Sequence, residues 1–253
     1  RRKNSSCSSK YNDVLSNLIS EKLHENWSPE QISNALLNGK LSFKTIYNWI
    51  YIGKLKGISL KNLRHKGKRR KKETRGKFLI GNSITTRPKD VKSRKTFGHW
   101  ELDTIVSSRG KSKACLATFV ERKTRFYVAI KIKDRTAPSM LKAIKKLVKV
   151  LPKKALKTFT TDRGKEFACY KEVEKLNIKV YFADAGSPGQ RGLNENSNGI
   201  VRKDLPKSTD LSIYSQEELN EIANKWNNIP RKILNYLTPL EMLKKLTGLT
   251  TII

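Results

Sequence analysis

The sequence predicts an α/β chain, a mixed sheet in the element order βββαβαβα preceded by an all-α unit. Three observations carry that prediction. Apolar residues recur at helical spacing up to about residue 57, β-prone runs separated by turn residues follow residue 97, and the stretch between them is too rich in Lys and Arg to pack. The expected boundaries are a helical domain over 1–57, a basic linker over 58–96 and a mixed-sheet domain with C-terminal helices over 97–253. At 253 residues and 37% hydrophobic composition, the chain can build one or two packed units and is not disorder-like.

The first helix is expected over Tyr11 to Glu25, where Val14, Leu15, Leu18, Ile19 and Leu23 form one apolar face. Ser28-Pro29-Glu30-Gln31 reads as a helix start, with Ser28 as N-cap, Pro29 at the first helical position and Gln31 completing a capping box. That helix should run to Leu37, turn through Asn38-Gly39-Lys40 and restart after a second N-cap, Ser42. The result is a helix-turn-helix pattern. In such a unit the second helix enters the major groove of DNA, so Ser42, Lys44, Thr45 and Asn48 form the expected reading face while Ile46, Trp49 and Ile50 pack inward. An ordinary helical hairpin with a core face is the plainer reading of the same residues.

From Lys61 to Lys77, ten of seventeen residues are Lys or Arg. Such a run is suited to lie along phosphates, with Arg64, Lys68, Arg69, Arg70 and Lys71 as its expected contacts, or to serve as a solvated spacer. Gly81, Pro88 and the nearby Ser and Thr continue the linker to about Thr96. Three β-prone runs follow, at 99–106, 114–120 and 125–132, joined by short turn-like stretches as in an antiparallel meander. A helix over Pro138 to Val150 and a fourth strand from Lys157 to Thr161 come next. A short amphipathic stretch, a fifth strand from Lys179 to Ala183 and helices near Asn194–Lys203 and Ser215–Asn227 complete the order. Three meander strands followed by alternating helix and strand is the order of a ribonuclease-H-like mixed sheet.

Composition narrows the partners. With 54 Lys plus Arg against 22 Asp plus Glu, the net charge is +32, which draws polyanions by counterion release and makes nucleic acid the leading partner. The three cysteines are scattered, without a CxxC or Cys/His cluster, so neither a disulfide framework nor a zinc site is indicated. No apolar run is long enough to span a bilayer and the first residues are polar, so no membrane partner is expected and the chain reads as intracellular.

Within the basic background a few carboxylates stand out. Asp103 falls mid-strand on the face of Glu101 and Ile105, where a core-facing strand avoids charge. Asp162 ends the fourth strand, and Glu195 lies on a helix after a glycine-rich loop. Carboxylates from these three places can meet at one end of such a sheet, where their repulsion would be relieved by Mg²⁺ or Mn²⁺. Two such ions about 3.5 to 4 Å apart suit phosphodiester chemistry. Each residue alone also fits a strand end or a polar turn.

Three segments carry a resemblance: Gly98-His99-Trp100-Glu101-Leu102-Asp103-Thr104, Thr160-Thr161-Asp162-Arg163-Gly164-Lys165-Glu166-Phe167, and Ser187 to Gly199, the last read as SPGQRGLNENSNG. They are similar to the transposases of the insertion-sequence-thirty family, over roughly Trp27 to Leu246. The resemblance implies a ribonuclease-H-like DDE recombinase core behind helix-turn-helix units, with Asp103, Asp162 and Glu195 as catalytic and metal-holding residues. It implies double-stranded DNA partners (the element's terminal repeats and the target), a homo-oligomer, no small-molecule cofactor, and work in the bacterial cytoplasm at the nucleoid. Leu102 and Gly189 stand where the family more usually has Gly and Trp. Arg202, seven residues past Glu195, shares its helix face and is the expected phosphate contact, or else a solvated arginine. Two other readings are a DNA-binding regulator or defective derivative that cuts nothing, and a metal nuclease on the same fold.

Overall fold

The computed structural model describes residues 11–63, 81–184 and 187–249. The chain divides into two units, Arg1–Lys71 with Pro230–Tyr236, and Lys72–Ile229 with Leu237–Ile253. No helix among the described residues is long and apolar enough to cross a membrane.

In the first unit, α1 (Asp13–His24) starts at Asn12, whose side chain accepts from Leu15 N at 2.8 Å. The capping box forms as the sequence predicts: Ser28 Oγ accepts from Gln31 N at 3.2 Å, and Gln31 Oε1 accepts from Ser28 N at 2.7 Å. It opens α2 (Pro29–Gln31), which widens into a π-helical turn over Ile32–Leu36 instead of continuing as the regular helix expected to Leu37. The widened turn lets Ser33 tie down the bend, its hydroxyl donating to Leu41 O at 2.6 Å and its carbonyl accepting from Gly39 N at 2.8 Å. Next, α3 (Phe43–Tyr51) begins at the Ser42 cap, and Ile46, Trp49 and Ile50 are buried with Ile19, Leu23, Ile32 and Leu41 in a small core. Residues Pro230–Tyr236 belong to this unit, with Gln31 Nε2 donating to Pro230 O and Lys232 Nζ to Glu30 Oε1 at 2.6 Å. The expected 97–253 domain is corrected to that extent. A seven-residue segment without periodicity holds no signal for a partner two hundred positions away.

The second unit contains, in chain order, β1 (Asn82–Ser83), α4 (Lys89–Ser93), β2 (His99–Val106), β3 (Cys115–Glu121), β4 (Tyr127–Ile132), α5 (Ala137–Val150) and β5 (Thr158–Thr161). It continues with α6 (Tyr170–Glu174), β6 (Lys179–Phe182), α7 (Gly192–Val201), α8 (Gln216–Asn227) and α9 (Pro239–Thr247). The strands form one mixed sheet in the order β1-β6-β5-β2-β3-β4, with β2, β3 and β4 antiparallel and β5, β6 and β1 parallel additions. This is the ribonuclease-H-like sheet with one strand more than expected. Residues 82–96, read from sequence as linker, supply β1 and α4, and Val91 is fully buried. A two-residue strand shows no alternation, so Pro88 and the surrounding Ser and Thr masked it.

One sheet face carries the main core, where Trp100, Leu102, Phe119 and Phe159 pack with Met140, Ile144 and Leu147 of α5. The other face is polar at β2 and lies under α7, while α8 guards the edge strand β4. Edge backbone groups that would otherwise invite another strand are satisfied by two amides. Gln216 accepts from Lys131 N at 2.8 Å and donates to Ala129 O at 2.9 Å, and Asn227 accepts from Tyr127 N at 2.9 Å and donates to Tyr127 O at 2.8 Å. The unpredicted α9 opens with a Thr238/Glu241 capping box, a T-x-x-E signature legible in the sequence.

Candidate active site

Strand register brings two of the carboxylates together. β2 and β5 run parallel with Glu101 opposite Thr160, and two residues further along the same face Asp103 stands beside Asp162, just past the end of β5. Both meet the guanidinium of Arg191: Nη2 lies 3.0 Å from Asp162 Oδ2 and Nη1 lies 3.5 Å from Asp103 Oδ1. Arg191 closes the 3-10 turn Pro188–Arg191 immediately before α7, and Nη1 also donates to Leu102 O at 3.4 Å. The base of this loop is clamped by Gln190, whose amide pairs with Asp184 N at 2.8 Å and Asp184 Oδ2 at 2.9 Å.

Glu101 fixes α7 over the carboxylates. Its side chain is fully buried, pairs with the buried Arg122 and accepts from Asn194 N at 3.0 Å in the first turn of α7, where an anion is favoured. One turn on, Asn198 Nδ2 donates to Asp103 Oδ2 at 3.2 Å, and Asn198 Oδ1 accepts from the buried Tyr127 hydroxyl at 3.1 Å. That hydroxyl orients the Asn198 amide so that its donor end faces Asp103. Burial raises the pKa of Asp103, opposed by Arg191 and by Thr104 N, and raised further by Asp162 and Glu166.

Glu166 is a fourth carboxylate at the site. It is fully buried, and Oε1 accepts from Arg135 Nε at 2.6 Å and Thr104 Oγ1 at 3.1 Å, while Oε2 has no hydrogen-bond partner among the described residues. Gly164 lets it approach Asp162, since a Cβ there would lie 2.6 Å from Glu166 Oε2 and 2.9 Å from Asp162 Oδ1. Gly164 N donates to Asp162 Oδ1 at 2.9 Å, which sets the aspartate at the strand end.

Glu195 lies on α7, four residues after Arg191 and three before Asn198, so helical geometry turns it to the same side. Among the described residues, however, no three His, Cys, Asp or Glu side chains are drawn together tightly enough to hold a metal ion. Like charges do not gather without a cation. The Arg202 guanidinium donates to the carbonyls of Val106 at 2.9 Å, Pro206 at 3.2 Å and Leu205 at 3.3 Å, clasping the end of β2 to the turn after α7. In the helical unit, Ser42, Lys44 and Asn48 are exposed and Thr45 half-buried on the outer face of α3. Arg64, Lys68, Arg69, Arg70 and Lys71 lie outside the described residues.

Sequence reasoning missed Arg191, Asn198, Tyr127 and Glu166 as members of this site. Arg191, Asn198 and Glu166 do stand inside the quoted motifs, Asn198 on the helix face of Glu195, and a cation four residues before a candidate acidic ligand was a usable signal. Tyr127 had none.

The integrase core domain family model matches residues 93–188. A transposase of Cupriavidus metallidurans, for insertion sequence element IS1086, is 38% identical over 246 residues, covering 91% of this chain and 72% of that protein. The chain belongs to the IS30 transposase family. Another member, the transposase InsI for insertion sequence element IS30A of Escherichia coli K12, is 36% identical over 255 residues, or 93% of this chain. The chain spans 66% of the length of that IS30 relative. Among solved structures, the catalytic core domain of HTLV-2 integrase in complex with magnesium, in its trimeric form, aligns at 20% identity and a TM-score of 0.45, covering 58% of this chain and 95% of that one.

Proposed function

We propose that the chain is a DNA transposase of the DDE type, which cuts the ends of a mobile element and joins the freed 3′ ends to target DNA. The observation that carries this reading is the meeting of Asp103 and Asp162, from neighbouring parallel strands, on a single cationic group. The site fits divalent metal. Its donors are hard carboxylate oxygens, they already meet a positive charge between them, and Glu195 lies in the first turn of α7, the helix that carries Asn198. Asp103, Asp162 and Glu195 would hold Mg²⁺ or Mn²⁺, most simply as a pair of ions, and Asn198 would keep Asp103 turned toward them. Such ions lower the pKa of an attacking hydroxyl and offset charge on the phosphodiester as the leaving oxygen departs.

The chain's own groups supply the remainder. The Glu101 and Asn198 contacts tie α7 to Glu101 and Asp103, and on this reading they would hold Glu195 in position toward the metal. The face of Ser42, Lys44, Thr45 and Asn48 would read base edges of the element's terminal repeats, and the basic run from Arg64 to Lys71 would contact phosphates independently of sequence. Two element ends must be brought together for joining, so a homo-oligomer acting at the bacterial nucleoid, in the cytoplasm, is part of the proposal.

The test is cleavage and joining of the element's terminal DNA with Mg²⁺ or Mn²⁺, wild type beside Asp162→Asn. Joined products that vanish in the variant, with DNA binding retained, are expected. Binding without cutting by both proteins would refute the reading.

A further inference from the structure

We propose that Arg191 is a positioning residue that keeps the place of the divalent cation in the metal-free protein, and that metal binding displaces it. This rests on the metal-site reading above and adds an exchange: the guanidinium and the ion compete for the same two carboxylates. Three observations support it. Arg191 puts one nitrogen on each aspartate, Nη2 at 3.0 Å from Asp162 and Nη1 at 3.5 Å from Asp103, a planar fork bridging two strands. Its remaining hydrogen bond among the described residues is the weak 3.4 Å one to Leu102 O, so none of these residues holds the fork strongly once the carboxylates are taken. Its side chain retains 18% exposure, which leaves a path outward.

The arrangement solves a folding problem. Asp103 and Asp162 are imposed on one another by strand register, with the buried Glu166 beside them, and without a cation they repel at close range. Arg191 relieves that repulsion in the absence of metal. A divalent ion settling between the same oxygens brings two positive charges against the guanidinium, and the arginine must leave. Once released at the mouth of the site, it is available to a DNA phosphate, which neutralises it. By linkage, DNA that captures Arg191 tightens metal binding, and metal that releases Arg191 tightens DNA binding.

The experiment titrates Mn²⁺ alone into the full chain, following free ion by electron paramagnetic resonance, for wild type, Arg191→Gln, Arg191→Lys and Asp162→Asn. Arg191→Gln is expected to bind Mn²⁺ about tenfold more tightly than wild type. Arg191→Lys, a point charge unable to fork across both aspartates, is expected to fall between them. Adding duplex DNA of the element end should tighten Mn²⁺ binding by wild type and leave Arg191→Gln nearly unchanged. Equal or weaker Mn²⁺ binding by Arg191→Gln, with hydrogen exchange of β2 and β3 as in wild type, would overturn the exchange. If Arg191→Gln fails to fold, affinity of Arg191→Lys at or below wild type does the same. Mn²⁺ binding that Asp162→Asn abolishes but Arg191 does not influence defeats this inference alone. Binding unaffected by Asp162→Asn defeats the metal-site reading as well.

Discussion

The buried pair Glu101–Arg122 should be the most costly polar contact in the sheet unit to break from one side. Glu101 is fully buried and Arg122 only 4% exposed, and Glu101 also accepts from Asn194 N at 3.0 Å. Replacing Glu101 with Gln removes the charge that compensates the guanidinium without giving Arg122 a route to water. Orphaning one member of such a pair costs about 3–5 kcal/mol. Arg122 keeps a second contact, Nε to Val91 O at 3.2 Å, so the lower end of that range applies. The assay is amide hydrogen exchange of β2 and β3, which reports on this unit separately from the helical one. At about 3 kcal/mol the slowest amides exchange roughly 10²-fold faster in Glu101→Gln. A double variant, Glu101→Gln with Arg122→Met, should recover much of the loss because no charge is stranded. Exchange within a factor of about five of wild type in the single variant, near 1 kcal/mol, would refute the argument.

Gly164→Ala should weaken Mn²⁺ binding by about 10–100-fold, as a disturbed supporting contact does, because the new methyl group collides with Glu166 and Asp162; an unchanged Mn²⁺ titration would contradict this. Burial lowers the His99 pKa from its usual value of 6.5, outweighing Asp90. The unfolded chain therefore takes up a proton that the folded chain resists, and stability should fall as pH drops below about 6.5, by up to about 1.4 kcal/mol per pH unit until His99 itself protonates. Urea midpoints at pH 7.5 and 5.5 should diverge less in His99→Gln, and an identical divergence would exclude His99 as the source. Lys142, Lys145, Lys146 and Lys149 of α5 are exposed, and on the DNA-binding reading they would meet phosphates. Changing each to Ala should lower the salt dependence of DNA binding by about one unit of slope for every phosphate left without its lysine, with little effect on melting temperature, and an unaltered slope for all four would remove α5 from the DNA surface.

The elements that were legible in the sequence are those whose stability is local. The Ser28 and Ser42 caps, the meander and the α5 periodicity each announce themselves within a dozen residues, and each stands within a few residues of where it was expected. What escaped depends on distant partners. β1 exists because Asn82 and Ser83 find Tyr181 and Phe182, and residues 230–236 join the helical unit through Gln31 and Glu30. The π-turn at Ile32–Leu36 is set by the pairing of Ser33 with Leu41 and Gly39. The site divides along the same line. Asp103 and Asp162 could be named because a carboxylate mid-strand and another at a strand end violate local pattern. The groups that hold them were not, since an amide such as Asn198 or a tyrosine such as Tyr127 looks ordinary until the fold sets it against a carboxylate.

The same contrast changes the meaning of the +32 charge. Read as composition, every Lys and Arg is a prospective phosphate contact. In the sheet unit the arginines carry most of the internal pairing, alongside Lys131, whose Nζ donates to Ser212 O at 2.7 Å, and Lys225, whose Nζ pairs with Asp204 Oδ1 at 2.6 Å. Arg122 neutralises Glu101, Arg135 holds Glu166, Arg191 bridges the two aspartates, Arg202 clasps three carbonyls and Arg87 donates to Thr160 Oγ1 at 2.8 Å. A planar fork with several fixed donors is suited to such internal duty, and its weaker hydration makes burial tolerable. Lysine, a strongly hydrated point charge on a flexible stem, stays outside on α5, where a mobile phosphate backbone can be met without a fixed geometry. Substituting these arginines therefore perturbs the fold and the carboxylate site before it perturbs affinity for DNA, whereas substituting the α5 lysines does the reverse. A DNA-binding defect in an arginine variant of this unit is thus evidence about DNA contact only when the fold and the Mn²⁺ site have been measured and found intact.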